Sequence, residues 1–306
     1  MLCNGCFRVA QAYEGSSSAV KTYLGCLPCV IRQALEAAVR ATTDETQHEE
    51  VLRKATLAVS SFPLDQPSPV MIGAIHKIVR DVTGQDDPYR EAKEICNRNA
   101  MSLYPQMKTL IRQSQDPIET ALRLAIAGNV IDFVVDPDAD RSNIMMAVED
   151  ALGADIDLLT INNFRRAAND AQEILYLGDN AGEIVFDRLL IEELPRGKIS
   201  YAVKGRPIVN DVTMPDADYC GMTHIVNVIS NGSRLPGTVL PYCSDSFRNR
   251  FWKADLVISK GQGNYESLEA TEKNIFFLFK AKCNVIKTHL GREIGSLILL
   301  GNRPLP

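Results

Sequence analysis

The chain has 306 residues, of which 45% are hydrophobic and 23% charged, and its formal net charge is −5. This composition is typical of a globular protein with enough apolar material for one large domain or two ordinary ones. The acidic balance argues against nucleic-acid binding, and no apolar run is long enough to span a bilayer. The first residues lack the basic and apolar regions of a secretory signal, so we expect a cytoplasmic protein without nucleic-acid or membrane partners.

Helical patterns fill the first 125 residues, because apolar residues recur at helical spacing and proline or glycine separates the segments. Residues 1–22 show little periodicity, and their Gly-Ser-Ser-Ser run is typical of a flexible segment. We therefore predict an N-terminal lead-in over 1–22 and an all-helical region over 23–125. The predicted helices are 29–41, 49–60, 70–82, 87–110 and 117–127.

From about residue 170, short apolar strands alternate with helical patterns. Intervals of about 25 to 30 residues between the early strands suit β-α-β units, which build a mainly parallel sheet with helices on both faces. We assign residues 126–306 to this α/β core. The predicted strands are 174–177, 199–203, 224–229, 256–259 and 274–279.

Asp179 and Asn180 lie where the first buried strand ends and a helix begins. This is the usual ligand position in open α/β sheets. Asn180 also fits as a helix N-cap, with Glu183 three residues later completing a capping box. Capping leaves Asp179 unexplained, and the glycines around it do not fit a dinucleotide-binding pattern. The segment therefore favours a metal.

Asp211 follows the next predicted strand, so it can lie close to Asp179. Read alone, Asp211 is an ordinary loop aspartate, and its position one β-α unit after Asp179 is what favours a shared site. Two carboxylates and a carboxamide suit a hard divalent cation such as Mg²⁺ or Mn²⁺.

Polar loops also follow later strands. Lys260 ends one of these strands and is followed by two glycines, which let the backbone approach a ligand closely. The lysine ammonium would then act as a phosphate clamp. A turn with a surface lysine is the alternative. The loop 230–238 offers hydroxyls, amides and Arg234. We take Ser233, Arg234 and Asn264 as candidate substrate-binding residues.

Three segments resemble those of the damage-control phosphatases, formerly domain-of-unknown-function family 89. They are Gly178-Asp-Asn-Ala-Gly-Glu183, Arg206-Pro-Ile-Val-Asn-Asp-Val212 and Lys260-Gly-Gln-Gly-Asn-Tyr265. Segment 127–132 and Cys26-Leu-Pro-Cys29 resemble the corresponding segments of the stand-alone prokaryotic subfamily, which has an N-terminal CxxC. The resemblance runs from about Tyr23 to Gly291. It implies a Rossmann-like, three-layer α/β/α core after a helical region, and a metal-dependent phosphatase acting on small phosphometabolites.

The resemblance also implies roles for particular residues. Asp179, Asn180 and Asp211 would hold the metal, and Lys260 would contact the substrate phosphate, so these four form the expected catalytic set. The cofactor would be Mn, Mg, Ni or Co. Such a cation neutralises charge on the phosphoryl group in the transition state. Either water or Asp179 itself can be the attacking group.

Asn129 and Asp132 fall in a further segment typical of the family. The resemblance implies that they border the same pocket and help to bind the substrate. The alternative is a helix end, with Gly128 as its terminator.

The eight cysteines include two CxxC pairs, Cys3 with Cys6 and Cys26 with Cys29. The spacing between the pairs falls in the range of four-cysteine zinc sites. A metal-binding or redox role for Cys26 and Cys29 beside the active cleft is the second interpretation. Burial of these two thiols at the start of a helix is the third.

We therefore predict a cytoplasmic, divalent-metal-dependent phosphatase that cleaves phosphate monoesters of small metabolites, such as sugar phosphates or damaged phosphometabolites. The alternative is a non-catalytic nucleotide- or metal-binding module with a cysteine zinc site. The sequence leaves the oligomeric state and the natural substrate open.

Overall fold

The computed structural model describes residues 21–128 and 141–302 of the chain. Within them, seven α-helices come before the first strand. The first five confirm the predicted helices, with ends that differ by a few residues. They are α1 (Cys26–Ala41), α2 (Glu45–Ser60), α3 (Ser68–Thr83), α4 (Arg90–Gln113), α5 (Pro117–Gly128), α6 (Arg141–Gly153) and α7 (Leu158–Asp170).

Helix α7 was not predicted, although it has a clear start signal. Asp157 is its N-cap and accepts hydrogen bonds from the backbone N–H groups of Leu159 and Thr160 at 3.3 and 2.9 Å. A side-chain oxygen at this position satisfies N–H groups that have no partner within the helix. The exposed Leu158 and Leu159 weaken the apolar periodicity from which helices are predicted.

Strands and helices then alternate to the end of the described chain. The elements are β1 (Ile174–Leu177), α8 (Glu183–Glu193), β2 (Ile199–Val203), α9 (Met214–Tyr219), β3 (Asn227–Ser230), α10 (Asp245–Lys253), β4 (Leu256–Lys260), α11 (Gln262–Leu268), β5 (Ile275–Lys280), α12 (Asn284–Leu290) and β6 (Leu297–Gly301).

The six strands form one sheet in the order β3-β2-β1-β4-β5-β6. The first five are parallel, and β6 pairs antiparallel with β5. This confirms the predicted α/β class with a mainly parallel sheet behind a helical region. Strand β3 begins later than predicted, because residues 222–224 form a short 3₁₀ helix. The edge strand β6 was not predicted.

The central strands of the sheet are buried on both faces, and their successive residues alternate between two hydrophobic clusters. Ile174 and Tyr176 belong to the cluster that also contains residues of the N-terminal helices. Leu175 and Leu177 belong to the cluster that contains the aromatic residues of α10, Phe247 and Phe251. Continuous apolar strands are typical of a parallel sheet covered on both sides.

None of the helices in residues 21–128 and 141–302 is long and apolar enough to cross a membrane. The division of the chain at residues 22 and 125 stays a prediction. Most of the predicted lead-in lies outside the described residues.

Candidate active site

The strand order reverses between β1 and β4, which lie side by side in the middle of the sheet. Loops that leave the carboxyl ends of such strands run in opposite directions and leave a crevice between them. Asp179 follows β1, and Lys260 ends β4. The two predicted site residues therefore flank the switch point of the sheet.

Backbone hydrogen bonds join the loop after β1 to the loop after β2. Asn180 and Asp211 form an antiparallel bridge. On either side of it, the Val212 N–H donates to the carbonyl of Asp179 (2.8 Å), and the Ala181 N–H donates to that of Asn210 (2.9 Å). The structure thus brings Asp179, Asn180 and Asp211 together. Their role as metal ligands stays a prediction.

The start of α8 differs from the capping-box interpretation of Asn180. The N-cap is Gly182, with a φ of 79° that favours glycine, and no side chain caps the helix. The Asn180 amide instead donates to Asp179 Oδ2 at 2.9 Å and to Glu183 Oε2 at 3.3 Å. The capping box was therefore wrong, because the loop continues two residues further than the sequence pattern indicates.

The carboxyl groups of Asp179 and Asp211 are buried from solvent. Asp179 is 8% exposed and Asp211 3%. Burial, followed by the charges of Glu183 and Asp211, raises the pKa of Asp179 well above its usual range. Burial also raises the pKa of Asp211 to about 6, although the nearby Lys204 opposes the rise. Packing these carboxylates together without a cation is electrostatically costly.

Lys204 is a buried cation of the site to which the sequence analysis gave no role. Its Nζ lies 3.3 Å from Asp211 Oδ2 and donates to the carbonyl of Gly237 at 2.5 Å. The lysine comes directly after β2, in the loop that carries Asp211. Its position at a strand end was the available signal.

Lys260 is fully buried and paired with two carboxylates of α8. Its Nζ lies 2.6 Å from Glu183 Oε1 and contacts Asp187 Oδ1 directly. Burial opposes the positive charge, but Asp187 and Glu183 outweigh it and raise the pKa of Lys260. The contact with a substrate phosphate stays a prediction, whereas the structure pairs this lysine with two acidic residues of α8, of which Glu183 also raises the pKa of Asp179.

Two tyrosines of the sheet complete this buried network. The hydroxyl of Tyr176 donates to Asp187 Oδ1 at 2.8 Å, and that of Tyr201 donates to Oδ2 at 2.9 Å. Burial raises the pKa of Asp187 to about 6, although Lys260 opposes the rise. Asp187 lies one helical turn after Glu183, and this i, i+4 spacing was the signal that the sequence analysis missed.

The predicted substrate-binding residues lie on the loops around this network. Asn264 is fully buried and donates to the carbonyls of Lys260 (2.7 Å) and Gly178 (3.3 Å). Ser233 is buried, and its hydroxyl accepts from the Leu235 N–H at 3.1 Å. Substrate contact by these residues stays a prediction.

Arg234 connects the loop that carries Asp211 to the helical region. It donates to the carbonyl of Pro207 at 3.1 Å and to the side chain of Asp86 at 2.5 Å. The remaining two predicted substrate-binding residues, Asn129 and Asp132, lie outside the described residues.

Lys282, on the loop after β5, is an exposed cation near Asp179. Its charge, followed by that of Lys204, opposes the rise in the pKa of Asp179. Its backbone N–H donates to Gln262 Oε1 at 3.2 Å. Because β5 was predicted correctly, Lys282, which follows this strand by two residues, could have been identified in the same way as the polar residues that follow the other strands.

Cys26 and Cys29 are half-buried at the start of α1, and both are free thiols. Burial raises the pKa of Cys26, and the neighbouring groups that add to the rise include Glu266 and Cys283. The Arg32 guanidinium donates to Cys29 Sγ at 3.7 Å. Cys3 and Cys6 lie outside the described residues, so the four-cysteine zinc site stays a prediction.

The described residues contain no group of three or more histidine, cysteine, aspartate or glutamate side chains arranged to hold a metal ion. The predicted ligand set has two carboxylates and one carboxamide, Asp179, Asp211 and Asn180. Its oxygen donors suit a hard cation, and the raised pKa values of its aspartates fit a site that a cation would neutralise. The residues present therefore fit the implied cofactor.

The fold and the site define a doubly wound α/β protein with an acidic centre at its sheet switch point. A family model, the damage-control phosphatase ARMT1-like domain, matches residues 22–298. The chain belongs to this family. Its subfamily with an N-terminal CxxC stays a prediction.

The chain is 33% identical over 291 residues to the damage-control phosphatase PH1575 of Pyrococcus horikoshii, covering 93% of this chain and 99% of that protein. It is 30% identical over 284 residues to a damage-control phosphatase of Archaeoglobus fulgidus, covering 89% and 96%. The crystal structure of the Pyrococcus protein superposes with a TM-score of 0.83 at 31% identity, covering 92% of this chain and 99% of that one.

Proposed function

We propose that the protein is a divalent-metal-dependent phosphatase that hydrolyses phosphate monoesters of small metabolites. The names of its relatives support the phosphatase class. The observation that carries the metal dependence is the bridge between Asn180 and Asp211, which places two buried carboxylates and a carboxamide at one point of the crevice. Sugar phosphates and damaged phosphometabolites are the substrate classes to test first.

In this proposal, Asp179, Asn180 and Asp211 would hold the cation, which would supply Lewis-acid neutralisation of the phosphoryl oxygens. Lys204 fixes the Asp211 carboxylate from the side, across 3.3 Å. Lys282 is exposed and can reach out to an incoming phosphate as a mobile positive charge. The buried Lys260 compensates the charges of Glu183 and Asp187 on the adjoining helix α8.

The test is hydrolysis of an aryl phosphate by the purified full chain, first stripped with a chelator and then given Mn²⁺, Mg²⁺, Co²⁺ or Ni²⁺. We expect activity only with an added cation. Asp179→Asn and Asp211→Asn should each lower kcat by at least about 100-fold while the protein stays folded, because each removes a charged ligand.

Asp245→Asn is a matched control, since this aspartate lies at the start of α10, with its side chain 87% exposed. It should keep the activity of the parent protein. Full activity after chelation, or in the Asp179→Asn and Asp211→Asn variants, would refute the metal-dependent mechanism. A panel of phosphometabolites with released phosphate as the readout then ranks the substrates.

A further inference from the structure

Asn97, in the middle of α4, connects the helical region to both loops that carry the predicted ligands. It is 2% exposed, and its side chain makes two hydrogen bonds with the α/β core. Its Oδ1 accepts from the Gly182 N–H at 2.7 Å, and its Nδ2 donates to Asp216 Oδ1 at 2.8 Å. The two partners lie on different β-α connections.

Gly182 belongs to the loop of Asp179 and Asn180, and it is the N-cap of α8. Its N–H would point into the protein without an intrahelical partner, as the first N–H groups at a helix start do. Asn97 supplies that partner from another part of the fold. The backbone at Gly182, two residues after Asn180, is therefore held by a side chain of the helical region.

Asp216 belongs to α9, which follows the loop of Asp211. Its Oδ2 accepts from the Thr213 N–H at 2.8 Å and from its hydroxyl at 2.5 Å, so it fixes the turn that leaves Asp211. Lys93, one helical turn before Asn97, donates to the same carboxylate oxygen at 3.1 Å. The two residues of α4 therefore satisfy both oxygens of Asp216.

We propose that Asn97 is a positioning residue that holds the two ligand-bearing loops in register, and that the site is incomplete without this helical residue. The proposal rests on the proposed function for its effect on metal binding. The Asn97 side-chain amide bridges the two connections at Gly182 and Asp216, whereas the backbone bridge between Asn180 and Asp211 joins them earlier in the chain. With both connections in place, the carboxylates keep a fixed separation. Groups that orient metal ligands in this way typically change metal affinity by about 10- to 100-fold when removed.

The test compares Asn97→Ala with Tyr104→Phe in the full chain. Tyr104 also lies on α4, and its hydroxyl donates to Glu192 at the far end of α8 at 2.7 Å, so its loss weakens the same helix pair away from the site. We expect Asn97→Ala to weaken Mn²⁺ binding by about 10-fold or more in a calorimetric titration, and Tyr104→Phe to change it by less than about twofold.

A reciprocal exchange tests the mechanism of the effect. In the double variant Asn97→Asp/Asp216→Asn, the carboxylate at position 97 can accept from both Gly182 and the new amide, so both connections are restored. This variant should recover most of the Mn²⁺ affinity lost in Asn97→Asp alone, where two carboxylates face each other. No recovery, or unchanged affinity in Asn97→Ala, would overturn the proposal.

Amide hydrogen exchange separates this proposal from the proposed function. In Asn97→Ala, peptides that contain residues 178–182 should exchange faster than in Tyr104→Phe, whether or not the protein is a phosphatase. Unchanged exchange in these peptides would overturn the positioning role. Failure of the parent protein to bind Mn²⁺ or hydrolyse phosphate esters would instead refute the proposed function.

Discussion

Gly261 lies directly against the carboxylate of Asp179, so that a Cβ at Gly261 would stand 2.0 Å from Asp179 Oδ2. The φ of Gly261 is 78° and its ψ 156°, a conformation open almost only to glycine. The backbone after β4 is therefore part of the wall that fixes the Asp179 carboxylate. Position 261 has no room for a side chain.

We expect Gly261→Ala to displace the Asp179 side chain and lower kcat/KM for an aryl phosphate by at least about 10-fold. The control is Gly84→Ala, since Gly84 also has a positive φ of 70°, but a Cβ there meets no atom within 4 Å. Gly84→Ala should cost about 1 kcal/mol of stability and keep the activity. Equal activities of the two variants would contradict this role of Gly261.

The pairing of Lys260 with Glu183 and Asp187 predicts a large loss of stability when the lysine is removed. Lys260→Met leaves two buried carboxylates without their cation, so the free energy of unfolding should fall by about 3 to 5 kcal/mol. Urea unfolding followed by circular dichroism measures the change.

The control for Lys260 is Lys77→Met, which removes an ion pair to Asp81 with side chains 63% and 58% exposed. Exposed pairs contribute little, so this change should cost less than about 1 kcal/mol. If the two variants lose the same stability, the buried network contributes no more than a surface pair.

The sheet was predictable because its central strands are short apolar runs that end in polar loops. Asp179 and Asp211 could be found for the same reason, since both follow buried strands directly. The buried pairing of Lys260 could not, because a lysine at a strand end has the same sequence pattern whether it faces solvent or a carboxylate.

The contribution of α4 could not be read from the sequence at all. Asn97 forms hydrogen bonds with Gly182, which is 85 residues away in the sequence, and with Asp216, which is 119 residues away. Periodicity describes neighbours within one element, so it placed Asn97 on a helix without indicating its partners. The packing of α4 against α8 and α9 brings these groups together.

His76, on α3, predicts a loss of stability at mildly acidic pH. Burial, followed by the charge of Arg80, lowers the pKa of His76 to about 4 from the usual histidine value of 6.5. Its Nε2 has no hydrogen-bond partner among the described residues. Because the unfolded chain binds the proton more tightly, stability is fully present above about pH 6.5 and falls as the pH drops towards 4.

Protonation of His76 should lower the free energy of unfolding by about 3 kcal/mol in full, since each pKa unit corresponds to about 1.4 kcal/mol. Urea unfolding at pH 7.5 and at pH 5 should show a smaller drop in His76→Gln than in the parent protein. The measurement at pH 7.5 serves as the internal control, since it gives the cost of the substitution without the proton. Parallel pH profiles would contradict the assignment.

Lys282 should affect substrate binding with little effect on the fold. Its side chain is exposed, and its charge acts on Asp179. Because a charge-assisted contact to phosphate is worth roughly 1.5 to 3 kcal/mol, we expect Lys282→Met to raise KM for an aryl phosphate by about 10- to 100-fold. The effect should shrink at high salt, where the attraction is screened.

Lys287→Met is the matched control for Lys282, because Lys287 lies on α12 and pairs with Glu293 at 2.6 Å. It should keep the KM of the parent protein at every salt concentration. Both variants should unfold at nearly the same urea concentration as the parent, since surface charges contribute little to stability. If Lys282→Met changes neither KM nor kcat, this lysine has no role in the site. A large fall in kcat at constant KM would instead indicate that Lys282 acts only in the transition state.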